Sequence, residues 1–225
     1  MRLAVISDVH SNLHALREVA RAIALEDVDM VVCAGDIVGY CAFPNECCDI
    51  IRVLADHAVL GNHDIAAITQ VTTSMNPYAA KAAVWTAKNI NDDSREFIES
   101  LKTESRFDSS GINVAMFHGS PRSVDEYVFE EDVDADLIDS NQVDLMILGH
   151  THVPYCRSFG SRMIVNPGSV GQPRDSDKRA SYAIVDTRTA KCVIMRVDYE
   201  IESAAEAIES AGLPEMLADR LFLGR

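Results

Sequence analysis

Apolar and polar positions fall in blocks that read as strands followed by helices. Arg2–Ser7 is a short, nearly continuous apolar run, as in a strand buried on both faces. Ser11 or Asn12 then stands where a helix cap is needed, before apolar positions at helical spacing to about Leu25. Met30–Ala34 is a second buried strand. Pro44 suits a first helical turn, Asn45–Ala55 continues as a helix, and His57–Leu60 is a third strand. This alternation predicts βαβ units and a mostly parallel sheet.

From Ile65 to Gly111 the pattern turns helical, most clearly over Tyr78–Ile90 and Ser94–Lys102. Ile112–Phe117 returns to strand, Asp132–Ser140 to helix and Val143–Leu148 to strand. Short strands without intervening helices follow at Tyr155–Phe159, Met163–Val165, Ser181–Asp186 and Cys192–Val197, which predict a second sheet packed on the first. The tail, Ile201–Leu223, is helical with a break at Gly212–Pro214. With no repeat, low-complexity segment or Gly/Ser-rich linker, residues 1–225 read as one α/β domain carrying a helical insert at about 65–111.

Charge narrows the partners. Against 20 Lys+Arg stand 35 Asp+Glu, a formal charge of −15. Such a surface repels long phosphate polymers, whose affinity comes from Lys and Arg, so a small phosphorylated partner is expected and no long nucleic acid. The longest apolar runs are too short to cross a bilayer, so no membrane partner is expected. Met1 leads directly into the first strand, leaving no room for a secretory signal and predicting a cytoplasmic location. The six cysteines then read as reduced packing residues. There is no Cys-x-x-Cys pair to suggest a zinc ribbon or a redox site. No feature specifies an oligomeric state.

The candidate chemistry lies where the strands stop. The five strand-like runs end at Asp8, with His10 two residues on, then at Asp36, Asn62, His118 and His150, with His152 two residues on. Ligands of α/β sheets bind outside the carboxyl ends of the strands, so these seven side chains are expected to converge. Two carboxylates, one amide and four imidazoles suit borderline divalent ions. Seven donors exceed the needs of one such ion, and a pair is expected if Asp36 bridges. Singly, each motif has a plainer role as cap, turn or surface histidine. Jointly, five of the seven histidines fall at these positions or, for His63, directly after Asn62, leaving His14 and His57 as structural.

The ordered set Ser7–His10 (SDVH), Gly35–Asp36 (GD), Gly61–Asp64 (GNHD), His118–Pro121 (HGSP) and Gly149–His152 (GHTH) resembles the calcineurin-like metallophosphoesterases. Gly35–Cys47, His118–Arg122 and Asn166–Asp175 resemble a bacterial and archaeal branch of predicted phosphodiesterases related to diadenosine-tetraphosphate hydrolases. The resemblance implies a four-layer αββα sandwich and two divalent ions per chain (Mn, Fe, Zn, Co or Ni, with Mn favoured for activity). It gives Asp8, His10, Asp36 and His152 to one ion, and Asp36, Asn62, His118 and His150 to the other. His63 becomes the catalytic histidine facing the leaving group. The implied reaction is in-line attack on a phosphoester or phosphoanhydride by a water the ions share.

Tyr40, Arg122 and Arg174 are candidate substrate-binding residues. The protein serine/threonine phosphatases carry Asp-Arg-Gly where Gly39-Tyr40-Cys41 stands, so a phosphoprotein substrate is disfavoured and His63 lacks the usual orienting carboxylate. Asp64 is a candidate for that task, or a cap for the next helix. The alternative is an inactive scaffold of the same fold, like the retromer subunit, but such scaffolds tend to lose the catalytic histidine or a ligand. A metallo-β-lactamase site would need a His-x-His-x-Asp-His cluster, and none is present.

Overall fold

The computed structural model describes residues 1–225. β1 (Arg2–Ile6), α1 (Leu13–Ala24), β2 (Met30–Cys33), α2 (Pro44–Leu54) and β3 (His57–Ala58) make two successive crossovers, with β1, β2 and β3 mutually parallel. Asn12 is the cap of α1, its Oδ1 accepting from Ala15 N at 3.1 Å. Helices α3 (Asn62–Thr69), α4 (Pro77–Asn89) and α5 (Asp92–Ser100) then lead to β4 (Glu104–Asp108) and β5 (Asn113–Phe117). The expected insert is therefore not helical to its end. Glu104–Asp108 is an edge strand antiparallel to β5, and its charged, largely exposed sequence carries no strand-like apolar run.

A 3-10 turn at Glu130–Asp132, α6 (Ala135–Asn141), β6 (Leu145–Ile147), β7 (Tyr155–Phe159) and β8 (Arg162–Asn166) follow. The chain closes with β9 (Ala180–Asp186), β10 (Lys191–Val197), α7 (Ile201–Ser210) and α8 (Glu215–Leu223). Two mixed five-stranded sheets result, in the orders β10-β9-β1-β2-β3 and β4-β5-β6-β8-β7. The late short strands do not all join the second sheet, as their sequence grouping suggested. β9 lies antiparallel to β1 inside the first sheet. The reason is burial: Tyr182 and Ile184 need cover on one face, Ala183 and Val185 on the other.

Strand alternation builds the layers. Ala4 and Ile6 turn to an interior shared with α1, α2, α7 and α8. Leu3 and Val5 turn the other way and meet Val114, Met116, Leu145 and Ile147 between the sheets. Ala115 and Phe117 point outward onto Leu137 and Ile138 of α6. Three apolar interiors separate four layers, an αββα sandwich.

Cys156 on β7 and Cys192 on β10 are disulfide-bonded, which corrects the expectation of six reduced thiols. They lie on edge strands of opposite sheets, and the sandwich brings their Cα atoms to 6.3 Å, within disulfide reach. Cys33, Cys41, Cys47 and Cys48 are free and buried, as packing residues would be. No helix is long and apolar enough to cross a membrane.

Candidate metal centre

The loops leaving β1, β2, β5 and β6 are tied to one another by their backbones. Asp8 N donates to Gly35 O (3.0 Å), His10 N to Asp36 O (2.9 Å) and Gly149 N to His118 O (2.7 Å). Asp8, His10, Asp36, His150 and His152 all have left-handed backbones, with φ from 51° to 66°. Each costs of order 1–3 kcal/mol and persists only where surrounding contacts demand it. The end of β8 and the loop after it supply such contacts. Asn166 Nδ2 donates to Gly149 O (2.7 Å) and Thr151 Oγ1 (3.0 Å), and Ser169 Oγ donates to Asp8 O (2.7 Å). In the sequence, Asn166 and Ser169 had stood out only through the resemblance. Their signal was a polar, glycine-punctuated stretch directly after an apolar strand.

The seven side chains do converge, and they form two groups. Asp8, His10 and His152 make one: His152 Nε2 lies 3.2 Å from Asp8 Oδ1 and 3.1 Å from His10 Nε2. Asp36, His118 and His150 make the other, joined by Asn62, with His118 Nε2 3.2 Å from both Asn62 Oδ1 and His150 Nδ1. Asp36 Oδ2 faces both groups, 3.5 Å from His10 Nε2 and 3.3 Å from His118 Nε2. Its other oxygen, Oδ1, accepts from His63 N at 2.8 Å.

This donor set fits divalent cations. The Nδ1 atoms of His118 and His152 face the carbonyl oxygens of Ala34 (2.8 Å) and Gln172 (2.5 Å), so each is the N–H of its ring. Each Nε2 then turns a lone pair into the cluster, the usual arrangement behind a metal-bound histidine. Asp8 Oδ1 is buried and has no hydrogen-bond partner. A lone His118 N–H could not serve Asn62, His150 and Asp36 at once, whereas a cation could. The electrostatics agree. Burial opposes ionisation of Asp8, yet the charges of His152 and His118 hold its carboxyl well below the usual range. Burial likewise opposes a charged His118, yet Asp36 pushes it up to about 10, so that with no cation beside it a proton takes the Nε2 lone pair that faces the carboxylates, the place a metal ion would take.

Gly61 is what lets Asp36 sit here: a Cβ at that position would overlap Asp36 Oδ1 and its backbone N. Gly61→Ala is expected to displace the carboxylate, costing roughly 1–3 kcal/mol of stability through overpacking and lowering bound metal below wild-type stoichiometry. Thermal unfolding together with elemental analysis checks this. Unchanged values for both would mean that the close approach has no consequence.

His63 is buried beside the cluster, where burial pulls its imidazole down to about 4. No carboxylate orients the ring. It packs between Tyr40 (centroids 4.4 Å apart) and His10 (4.8 Å), and the absent side chain of Gly39 leaves room for its Nδ1. Asp64 is instead a tie and a cap, its oxygens accepting from Val38 N and Gly61 N at 2.9 Å each. Its burial, with the charge of Asp36, raises it to about 7.

His63 opens on a cavity also lined by Tyr40, Arg174, Tyr127, Asp125 and the Ser74–Asn76 loop before α4. Arg174 Nη2 donates to Tyr40 Oη and to Gln172 Oε1, both at 3.2 Å. Of the two candidate arginines, only Arg174 is in this cavity. Arg122 is mostly exposed, its guanidinium bound to Glu126 at 2.7 Å one helical turn's spacing away, and it lines a separate cleft.

The profile of the calcineurin-like phosphoesterase superfamily domain matches residues 1–190. A protein of Methanocaldococcus jannaschii, described as uncharacterized, is 40% identical over 99% of this chain and 98% of its own length. The crystal structure of a metallophosphoesterase from Sphaerobacter thermophilus is 38% identical, with a TM-score of 0.85 over 100% of this chain and 99% of that one. A hypothetical protein of Pyrococcus horikoshii, only 18% identical, has the same fold, with a TM-score of 0.89 over 100% and 98% of the two chains.

Proposed function

The chain belongs to the calcineurin-like phosphoesterase superfamily, and on that footing we propose that it uses two divalent ions to hydrolyse an ester or anhydride bond in a small, nucleotide-like phosphorylated substrate. One ion is held by Asp8, His10, Asp36 and His152, the other by Asp36, Asn62, His118 and His150. The observation that carries this reading is Asp36, one carboxylate oxygen of which faces both groups of ligands. Such a pair of ions supplies an activated water at neutral pH and neutralises charge on the phosphoryl oxygens.

The chain's own groups do the rest. His63, set by its backbone bond to Asp36 and by the Tyr40 ring, stabilises the departing oxygen by donating a hydrogen bond from its ring N–H. Arg174, steadied by Tyr40 and Gln172, brings positive charge to the phosphoryl group. The Arg122 side chain has no part in this, being committed to Glu126.

The test is a hydrolysis screen of the manganese-loaded protein against phosphomonoesters, phosphodiesters and dinucleoside polyphosphates. Activity is expected to vanish on chelation with EDTA and to return with Mn²⁺ in the fresh apoprotein. Full activity at a metal content near zero would overturn the proposal.

A further inference from the structure

The segment between β5 and the 3-10 turn bends and turns as far as Asp125, and its last residues, Tyr127–Phe129, then alternate in direction at the mouth of the cavity, Phe129 with an extended backbone. Val128 points inward and is buried with the α6 side of the second sheet. Tyr127 and Phe129, on either side of it, point out together. Their rings are nearly parallel (9°) with centroids 6.0 Å apart, and they are 50% and 37% exposed. Tyr127 is continuous with the metal centre, its ring centroid 4.1 Å from that of His150.

The backbone beneath the rings is pinned. Tyr155 Oη donates to Val128 O at 2.9 Å, and Phe129 N donates to Asp132 Oδ2 at 3.0 Å. Two large rings are thus held in fixed, exposed positions, leading outward from the candidate ligands. Apart from Arg174, which lines the cavity itself, the ionic groups along this path are mainly acidic: Asp125 lines the cavity, and Glu130, Glu131 and Asp132 follow Phe129. Arg157 pairs with Glu130 at 3.7 Å.

We propose that Tyr127 and Phe129 form a stacking ledge for a nucleobase, so that the substrate is a nucleotide ester with its base about one sugar away from the reacting phosphorus. The inference rests on the phosphoesterase reading above and narrows it. A flat, uncharged ring suits exposed aromatic faces, which accept any base because every base has a π-face. A second phosphoryl group on this path would meet carboxylates instead, which disfavours a polyphosphate chain laid along the ledge.

The test compares thymidine 5′-(p-nitrophenyl phosphate) with methyl p-nitrophenyl phosphate on the manganese-loaded protein. The leaving group is the same, and only the nucleoside differs. Stacking on aromatic side chains is worth roughly tenfold or more per base. The nucleoside ester is therefore expected to have a kcat/KM at least about tenfold higher, and Phe129→Ala to remove most of that preference through KM. A preference unchanged in Phe129→Ala, or absent from the wild type, would overturn the ledge while leaving the phosphoesterase reading intact. Calorimetry with adenosine 5′-monophosphate against ribose 5-phosphate applies the same test without turnover. If neither ester is cleaved, the phosphoesterase reading is decided by the wider hydrolysis screen above. The ledge is then judged by whether the base still adds affinity that Phe129→Ala abolishes.

Discussion

Asp36→Asn is expected to retain fewer than two metal ions and to lose hydrolysis almost completely, more than any other single ligand change. The substitution preserves size, so the packing of Gly61 against this side chain is kept. It removes the negative charge between two clusters of imidazoles, and an amide N–H₂ turned towards the cluster would donate to the imidazole lone pairs and have none of its own for a cation. Removing a group that merely supports a metal ligand already costs about 10–100-fold in affinity, and a shared ligand should cost more at both positions. His10→Ala is expected to weaken mainly the ion held by Asp8 and His152. Elemental analysis of the purified variants distinguishes these cases. Two ions at full occupancy in Asp36→Asn would rule out the bridging role.

The second large effect is selective. The hydrogen bond from His63 to Asp36 comes from its backbone N–H, which asparagine supplies equally, so His63→Asn should keep both ions. Loss of the imidazole should be felt in proportion to the leaving group's need for a hydrogen. For an alkyl or nucleoside ester the single-turnover rate is expected to fall roughly 10²–10⁴-fold, and for a p-nitrophenyl ester much less. Equal losses for the two would place His63 on the phosphoryl group instead. Loss of an ion would make it a ligand, an outcome for which its place beside His10 and Asp36 leaves room.

What could be read from the sequence was what local pattern encodes. Asp8, Asp36, His118 and His150 were legible because each interrupts the end of an apolar strand, and parallel strands carry their ends to one side. Pairing partners are not encoded so locally. β9 carries apolar residues on both faces, which marks it as a central strand but does not say of which sheet. β4 went unrecognised because Glu104–Asp108 is an exposed edge, held by its pairing with β5 rather than by a strand-like apolar run. The Cys156–Cys192 bond depends on two edge strands meeting across the sandwich, a long-range consequence of topology. Arg122 and Arg174 looked equivalent as cations near ligand motifs. Only side-chain geometry separates them, Arg122 held by Glu126 and Arg174 facing the cavity. The left-handed backbones of Asp8, His10, Asp36, His150 and His152 were likewise invisible, since none of these is a glycine.

The most direct test of the account is anomalous diffraction from crystals grown with Mn²⁺. Two manganese peaks are expected, one on Asp8, His10 and His152 and the other on Asn62, His118 and His150, with the Asp36 carboxylate touching both. A single peak at full occupancy, or two peaks that do not share Asp36, would contradict it.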